Sequence, residues 1–192
     1  QTFEVDGIEF VCDYRPESTA TRFFIVKTPE HVAAYRALLA SLPPQATVVE
    51  LGIAEGGSAA LTLLDADVAR LVAVDIETEP LGALEELAAA RGLADALRLH
   101  WGVDQSDGDG LRRILAADLP AGRGLDLVVD DASHDLDLTR ASFDILFPHL
   151  EPGGRYVIED WNGSHLFYDA VGAALRDPAN ADAIRASLAE PS

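Results

Sequence analysis

Positive charge is scarce in this chain. Lysine and arginine together number 14 against 33 aspartate and glutamate residues, the formal charge is −19, and Lys27 is the only lysine. A nucleic-acid partner requires a basic stripe to neutralise phosphate, and the arginines here are scattered, which argues against that class. Long apolar runs are also missing. None approaches the ~18 residues of a membrane span, and no charged-then-apolar leader is visible, so neither a membrane partner nor a signal peptide is expected. The chain begins at Gln1, which fits removal of an initiator or a short leader. Cysteine is limited to Cys12, which excludes an intrachain disulfide and suits a reducing, cytoplasmic setting. Low-complexity tracts and internal repeats are absent.

What remains is a sequence able to build a core. With 192 residues, 48% of them hydrophobic, it reads as one α/β domain. Phe3 to Phe10 alternates around Asp6-Gly7, a hairpin signal. Residues 13–26 read as irregular. Thr28-Pro29 caps a helix running to about Leu42, where Pro43-Pro44 ends it. Strands and helices then alternate. Strands are expected at Ala46–Leu51, Arg70–Asp75, Leu97–Trp101, Leu125–Asp130 and Tyr156–Asp160. Helices are expected at Gly57–Leu64, Pro80–Arg91, Gly110–Ala117 and Leu136–Leu150, with further helix over roughly 165–188. Five mostly apolar strands joined by helical crossovers predict a Rossmann-like, doubly wound parallel sheet, order 3-2-1-4-5. No linker divides the chain. Residues 1–45 form an N-terminal part, 46–164 the core and 165–192 C-terminal helices of a single domain.

Two acidic strand ends carry the chemistry. Val128-Val129-Asp130-Asp131 closes one apolar run and Tyr156-Val157-Ile158-Glu159-Asp160 closes the next, with one helix between them. Parallel neighbours connected this way bring both acidic pairs to the same sheet edge. Carboxylates crowded together are costly unless a cation joins them, and oxygen ligands suit Mg²⁺. His134, three residues after Asp131, falls at the same place as a candidate base. Asp130 also has a plain reading, as a cap or a loop hydrogen-bonding partner.

The run Val48-Val49-Glu50-Leu51-Gly52-Ile53-Ala54-Glu55-Gly56-Gly57-Ser58 is a strand, a glycine turn and a helix start. Glycines there let a ligand approach the backbone, and the helix start offers free N–H groups. Asp75, ending the next strand, can bind both hydroxyls of a ribose. Ala54 stands where the dinucleotide fingerprint has its second glycine, and Glu50 and Glu55 would repel a pyrophosphate. A cationic nucleoside cofactor such as S-adenosylmethionine suits the loop better, its carboxylate meeting the helix start near Ser58.

Glu50-Leu51-Gly52 followed by Gly56-Gly57-Ser58 resembles the first motif of class I SAM-dependent methyltransferases. Asp130-Asp131-Ala132-Ser133-His134, with Ser142-Phe143, Leu146-Phe147-Pro148, Pro152-Gly153-Gly154 and Tyr156 to Trp161, is similar to the divalent-metal-dependent O-methyltransferases, above all the macrolide-sugar group, and more distantly the catechol group. The resemblance spans about residues 46–164. It implies Asp131, Glu159 and Asp160 as metal ligands and His134 as general base. It also implies Glu50, Gly52, Gly56, Ser58 and Asp75 as cofactor residues, with Asp104 and Gln105 on the adenine side. The implied reaction is methyl transfer from S-adenosylmethionine to a hydroxyl of a small-molecule acceptor, a vicinal diol of a natural-product sugar. A catechol or phenol acceptor, a cephalosporin-hydroxylase-like enzyme and a non-catalytic SAM-binding protein remain alternatives. The antiparallel hairpin that usually closes such sheets is not recognisable after Trp161, and the open edge predicts a homo-oligomer.

Overall fold

The computed structural model describes residues 1–13 and 18–160. The expected C-terminal helices and any closing hairpin therefore lie outside the described residues.

The chain opens with a small sheet. β1 (Thr2–Val5) and β2 (Ile8–Cys12) pair antiparallel across Asp6-Gly7. Both turn residues have positive φ, 49° and 76°, so the turn matches the twist of its strands. β3 (Arg22–Ile25) then pairs parallel with β2. This corrects the expectation of irregular chain over residues 13–26. Phe23, Phe24 and Ile25 are all buried, and an apolar run this short has no periodicity to declare it a strand. α1 (Pro29–Leu39) starts as expected, with the Thr28 hydroxyl accepting from the His31 N–H at 3.3 Å. It ends three residues early because Ser41 and Leu42 donate to carbonyls only three residues back, tightening the last turn.

The main sheet comprises β4 (Ala46–Leu51), β5 (Val68–Asp75), β6 (Leu97–Trp101), β7 (Leu125–Asp130) and β8 (Leu150–Ile158). Its order is β6-β5-β4-β7-β8, parallel throughout, which is the expected 3-2-1-4-5 arrangement. The connecting helices are α2 (Gly57–Asp65), α3 (Gly82–Ala90), α4 (Gly108–Asp118) and α5 (Leu136–Leu146). Side chains of β4 alternate between two cores. Val48 packs with residues of α1, α2 and α3, whereas Val49 and Leu51 pack with residues of α4 and α5. Burial on both faces is why the strands read as continuous apolar runs. Each fully buried leucine, such as Leu61 or Leu84, contributes about 1.5–3 kcal/mol. β8 starts six residues before the expected Tyr156. Pro152-Gly153-Gly154 looks like a turn but sits inside the strand, where the register against β7 shifts. Among the described residues no helix is long and apolar enough to cross a membrane.

The register places the site. Leu51 pairs with Asp130, and Asp130 with Ile158. One step further, the Asp131 N–H donates to the Leu51 carbonyl and the Glu159 N–H to the Asp130 carbonyl, both at 2.9 Å. Gly52, Asp131 and Glu159 thus emerge side by side at the carboxyl edge. The strand order reverses at β4, and ligands of open α/β sheets bind at that switch point.

Candidate functional site

A cavity of about 280 Å³ opens at the switch point, walled in part by Gly52, Asp75, Glu77, Asp104, Gln105 and Asp131. The glycines of the first loop differ in what they allow. Gly52 has φ +88°, and a Cβ there would lie 2.3 Å from the Asp131 carbonyl oxygen, so only glycine lets the β4 and β7 loops touch. Gly56 adopts φ 74° at the N-cap of α2. A Cβ on Gly57 would sit 2.4 Å from the Phe24 carbonyl oxygen, so this glycine admits β3 rather than a ligand.

Asp75 stands in the cavity wall and is 8% exposed. Its Oδ2 accepts from the N–H groups of Ile53 (2.6 Å) and Ala54 (3.1 Å), and its Oδ1 from that of Glu77 (2.9 Å). The carboxylate expected to hold a ribose thus also shapes the glycine loop. Asp104 Oδ1 accepts from both the N–H and the hydroxyl of Ser106 at 2.7 Å, and these hydrogen bonds lower its pKa.

Beneath the loop, Glu50 is fully buried. Ser58 donates its hydroxyl to Oε1, while Oε2 has no hydrogen-bond partner among the described residues. Burial raises the Glu50 pKa to about 8, against the opposing pull of the Ser58 hydrogen bond and the Lys27 charge. An unpartnered buried oxygen calls for a donor or cation, and a cofactor with an amino group and a sulfonium fits that demand.

The two acidic pairs divide by side-chain direction. Asp130 points inward and is buried. It accepts from the hydroxyls of Ser142 at 2.6 Å and Tyr156 at 2.8 Å, and from the Gln105 amide at 3.3 Å. Burial raises its pKa despite these donors. Gln105 in turn accepts from the Ser133 N–H at 2.9 Å. Asp130 and Gln105 therefore fix the loop that carries Asp131 and His134, and Gln105 reaches the cavity wall as part of that network.

Asp131 and Glu159 point the other way, toward Lys27. The ammonium lies 2.8 Å from Asp131 Oδ2 and 2.5 Å from Glu159 Oε2, with its side chain only 4% exposed. The Tyr35 ring centroid is 5.6 Å away. Burial works against the Lys27 charge, but the two carboxylates outweigh it and the pKa is raised. The other side of the cluster gathers Asp131, His134 and Asp160, each with a ligand-capable atom within 4.8 Å of the others. His134 Nε2 lies 3.9 Å from Asp131 Oδ1. Both His134 (φ 55°) and Asp160 (φ 53°) hold left-handed backbone, a conformation uncommon outside glycine that recurs at functional sites. Of the three expected ligands, then, the described structure brings Asp131 and Asp160 together with His134, and turns Glu159 onto Lys27.

A second cavity of about 290 Å³ adjoins the same edge from the α1 side, lined by Lys27, Tyr35, Leu38, Val157, Glu159 and Asp160 among others. Lys27, Tyr35 and Glu77 were not among the expected site residues. The signal for Lys27 was available: a lone lysine closing the apolar run Phe23 to Val26, directly before a capped helix.

Comparison with known proteins points one way. The family described as "Methyltransferase domain" matches residues 49–161. The mycinamicin VI 2''-O-methyltransferase of Micromonospora griseorubida is 49% identical over 57 residues, covering 30% of this chain and 13% of that protein. The demethylmacrocin O-methyltransferase of Streptomyces fradiae is 47% identical over 57 residues, again 30% and 13%. A solved methyltransferase of the mycinamycin biosynthetic pathway, MycE, in complex with Mg, SAH and mycinamycin VI, superposes with a TM-score of 0.51 at 29% identity. That superposition covers 72% of this chain and 35% of the solved one. An O-methyltransferase from Bacillus cereus in complex with SAH shares the fold, with a TM-score of 0.53 at 17% identity over 69% of this chain and 56% of that one. The chain thus spans about a third of the solved relative, and its match spans about an eighth of the curated ones.

Proposed function

The chain belongs to the methyltransferase domain family, and from that premise we propose that it methylates a hydroxyl oxygen of a small-molecule acceptor, a vicinal diol on a natural-product sugar. One observation carries the reading. Asp131 lies in the wall of the glycine-loop cavity and also belongs to the Asp131–His134–Asp160 cluster, so a bound nucleoside cofactor and a cation would share one boundary. The two relatives quoted first are named as O-methyltransferases, and MycE was solved with Mg and SAH.

The residues present fit both groups. S-adenosylmethionine, when bound, supplies an electrophilic methyl group. Glu50 would face its cationic end, the helix start at Ser58 would meet its carboxylate, Gly52 and Gly56 would shape the loop around it, Asp75 would meet its ribose, and Asp104 with Gln105 would border the adenine. A divalent ion such as Mg²⁺, when bound, lowers the pKa of a coordinated hydroxyl. The acidic edge of Asp131, Glu159 and Asp160 offers the oxygen donors such an ion prefers. His134, whose Nε2 lies 3.9 Å from Asp131 Oδ1, would take the acceptor's proton at a ring nitrogen. Positioning of the acceptor oxygen, in the cavity beside Tyr35 and Val157, does most of the remaining work.

Among the described residues β8 pairs only with β7, and a homo-oligomer covering that edge, in the cytoplasm, completes the proposal. The decisive experiment incubates the protein with labelled S-adenosylmethionine and a panel of glycosides and catechols. Transfer to a sugar diol, abolished by EDTA and restored by Mg²⁺ or Mn²⁺, is the expected result. Transfer confined to catechols, or full turnover in chelator, would overturn the acceptor and metal parts respectively.

A further inference from the structure

We propose that Gln105 is the positioning residue of His134: its side-chain amide ties the loop that carries the ring to the wall of the cofactor cavity. This rests on the reading above that the cavity takes S-adenosylmethionine and that His134 takes the acceptor's proton.

The need for such a residue comes from His134 itself. Its backbone is left-handed (φ 55°), a state that persists outside glycine only where neighbouring contacts hold it. The ring supplies no hold of its own. Its side chain is 33% exposed, and its contact with Asp131 Oδ1, at 3.9 Å, is beyond hydrogen-bonding distance. The ring therefore points where the backbone of residues 131–135 directs it. Both ends of that loop are fixed by their own elements. The Asp131 N–H donates to the Leu51 carbonyl at the end of β7, and Asp135 caps α5 by accepting from the N–H groups of Asp137 and Leu138. The middle is fixed from outside, where the Ser133 N–H donates to Gln105 Oε1 at 2.9 Å.

Gln105 is itself held firmly. It is 6% exposed, and its Nε2 donates to Asp130 Oδ1 at 3.3 Å and to the Ser142 hydroxyl oxygen at 3.2 Å. The amide fits only one way round, because a backbone N–H can only donate and the Asp130 carboxylate accepts. Gln105 and Ser133 both stand in the wall of the 280 Å³ cavity. A ligand filling that cavity packs against the residue that holds the loop, so cofactor occupancy and the position of His134 are coupled. The oxygen of a carboxamide accepts two hydrogen bonds, so the one from Ser133 does not prevent Gln105 from also meeting the cofactor.

The test compares wild type, Gln105→Met and Gln105→Asn, whose amide is one methylene too short to span both partners. Amide hydrogen exchange of the full chain saturated with SAH reads the loop directly. Residues 131–135 should exchange about tenfold faster in both variants, with β4 and β5 as protected as in wild type. At saturating S-adenosylmethionine, kcat should fall about 10–100-fold while the acceptor KM stays within about threefold. Recovery of kcat at saturating cofactor would mean that Gln105 only binds the cofactor, and would overturn the proposal. Unchanged exchange in the loop also overturns it, as does faster exchange throughout β4 and β5, which marks a general loss of structure. Gln105→Asn decides the matter where Gln105→Met does not fold. Wild-type turnover in His134→Ala would instead overturn the base reading, and absence of SAH binding in wild type the cofactor reading, on which the proposal rests.

Discussion

Replacing Glu50 by glutamine isolates one carboxyl group whose ionisation the fold opposes. Its pKa moves from 4.5 to about 8, chiefly through burial. Between those two pH values the folded chain holds a proton that the unfolded chain has released. Stability from this group is therefore fully present below pH 4.5 and is lost as pH rises toward 8. At about 1.4 kcal/mol per pH unit, the full span is worth about 5 kcal/mol. Glutamine keeps the size and an oxygen for Ser58 to donate to, but it does not ionise. Urea unfolding of both proteins without ligand, at pH 5.5, 6.5 and 7.5, measures the difference. Glu159 and Asp130, whose pKa values burial also raises, titrate in both proteins and largely cancel. The wild type should lose about 2.5 kcal/mol relative to Glu50→Gln over that range. Parallel stability profiles would show that Glu50 is ionised in the fold, paired with something other than Ser58, and would refute the reasoning.

Three further outcomes are expected. Asp75→Ala should weaken SAH binding about 10–150-fold in calorimetry and, because three loop N–H groups lose their acceptor, lower stability by about 1–3 kcal/mol; unchanged affinity would remove the ribose assignment. His134→Ala should keep SAH and Mn²⁺ affinity within about threefold and slow turnover by about 10²–10⁴-fold; wild-type turnover would mean that another group takes the proton. Gly52→Ala places a Cβ 2.3 Å from the Asp131 carbonyl oxygen at φ +88° and should cost at least about 2 kcal/mol in denaturant unfolding, so a neutral result would contradict the close approach of the two loops.

Much of the architecture was legible because its signals are local and redundant. Most of the strands β4 to β7 are largely apolar, with β6 alternating through Arg98 and His100, and all are bounded by turns or caps, so their order of appearance implied the doubly wound sheet. The acidic ends were legible for the same reason, since parallel strands deliver their carboxyl ends to one edge. The partners of those acids were not. β3 is four residues long, too short for any period, and Lys27 lies 104 residues from Asp131 and 132 from Glu159. The direction of each acid depends on pleat and register: Asp130 turns into the Ser142–Tyr156 network and Asp131 away from it, a division that sequence spacing alone left open. Pro152-Gly153-Gly154 misled because a bulge inside a strand uses the same residues as a turn between strands.

The separation of Lys27 from its carboxylates has a consequence for biosynthesis. The small sheet leaves the ribosome before the main one, carrying an ammonium whose two carboxylate partners are not yet made. At about 5–20 residues per second, Asp131 follows roughly 5–20 s later and Glu159 roughly 7–26 s later. Among the described residues the pairing is one of the most non-local, and contacts of that kind close late and slowly. The nascent chain can therefore pack β4 and β5 around their helices while this charge cluster is still two unconnected halves, one of them not yet translated.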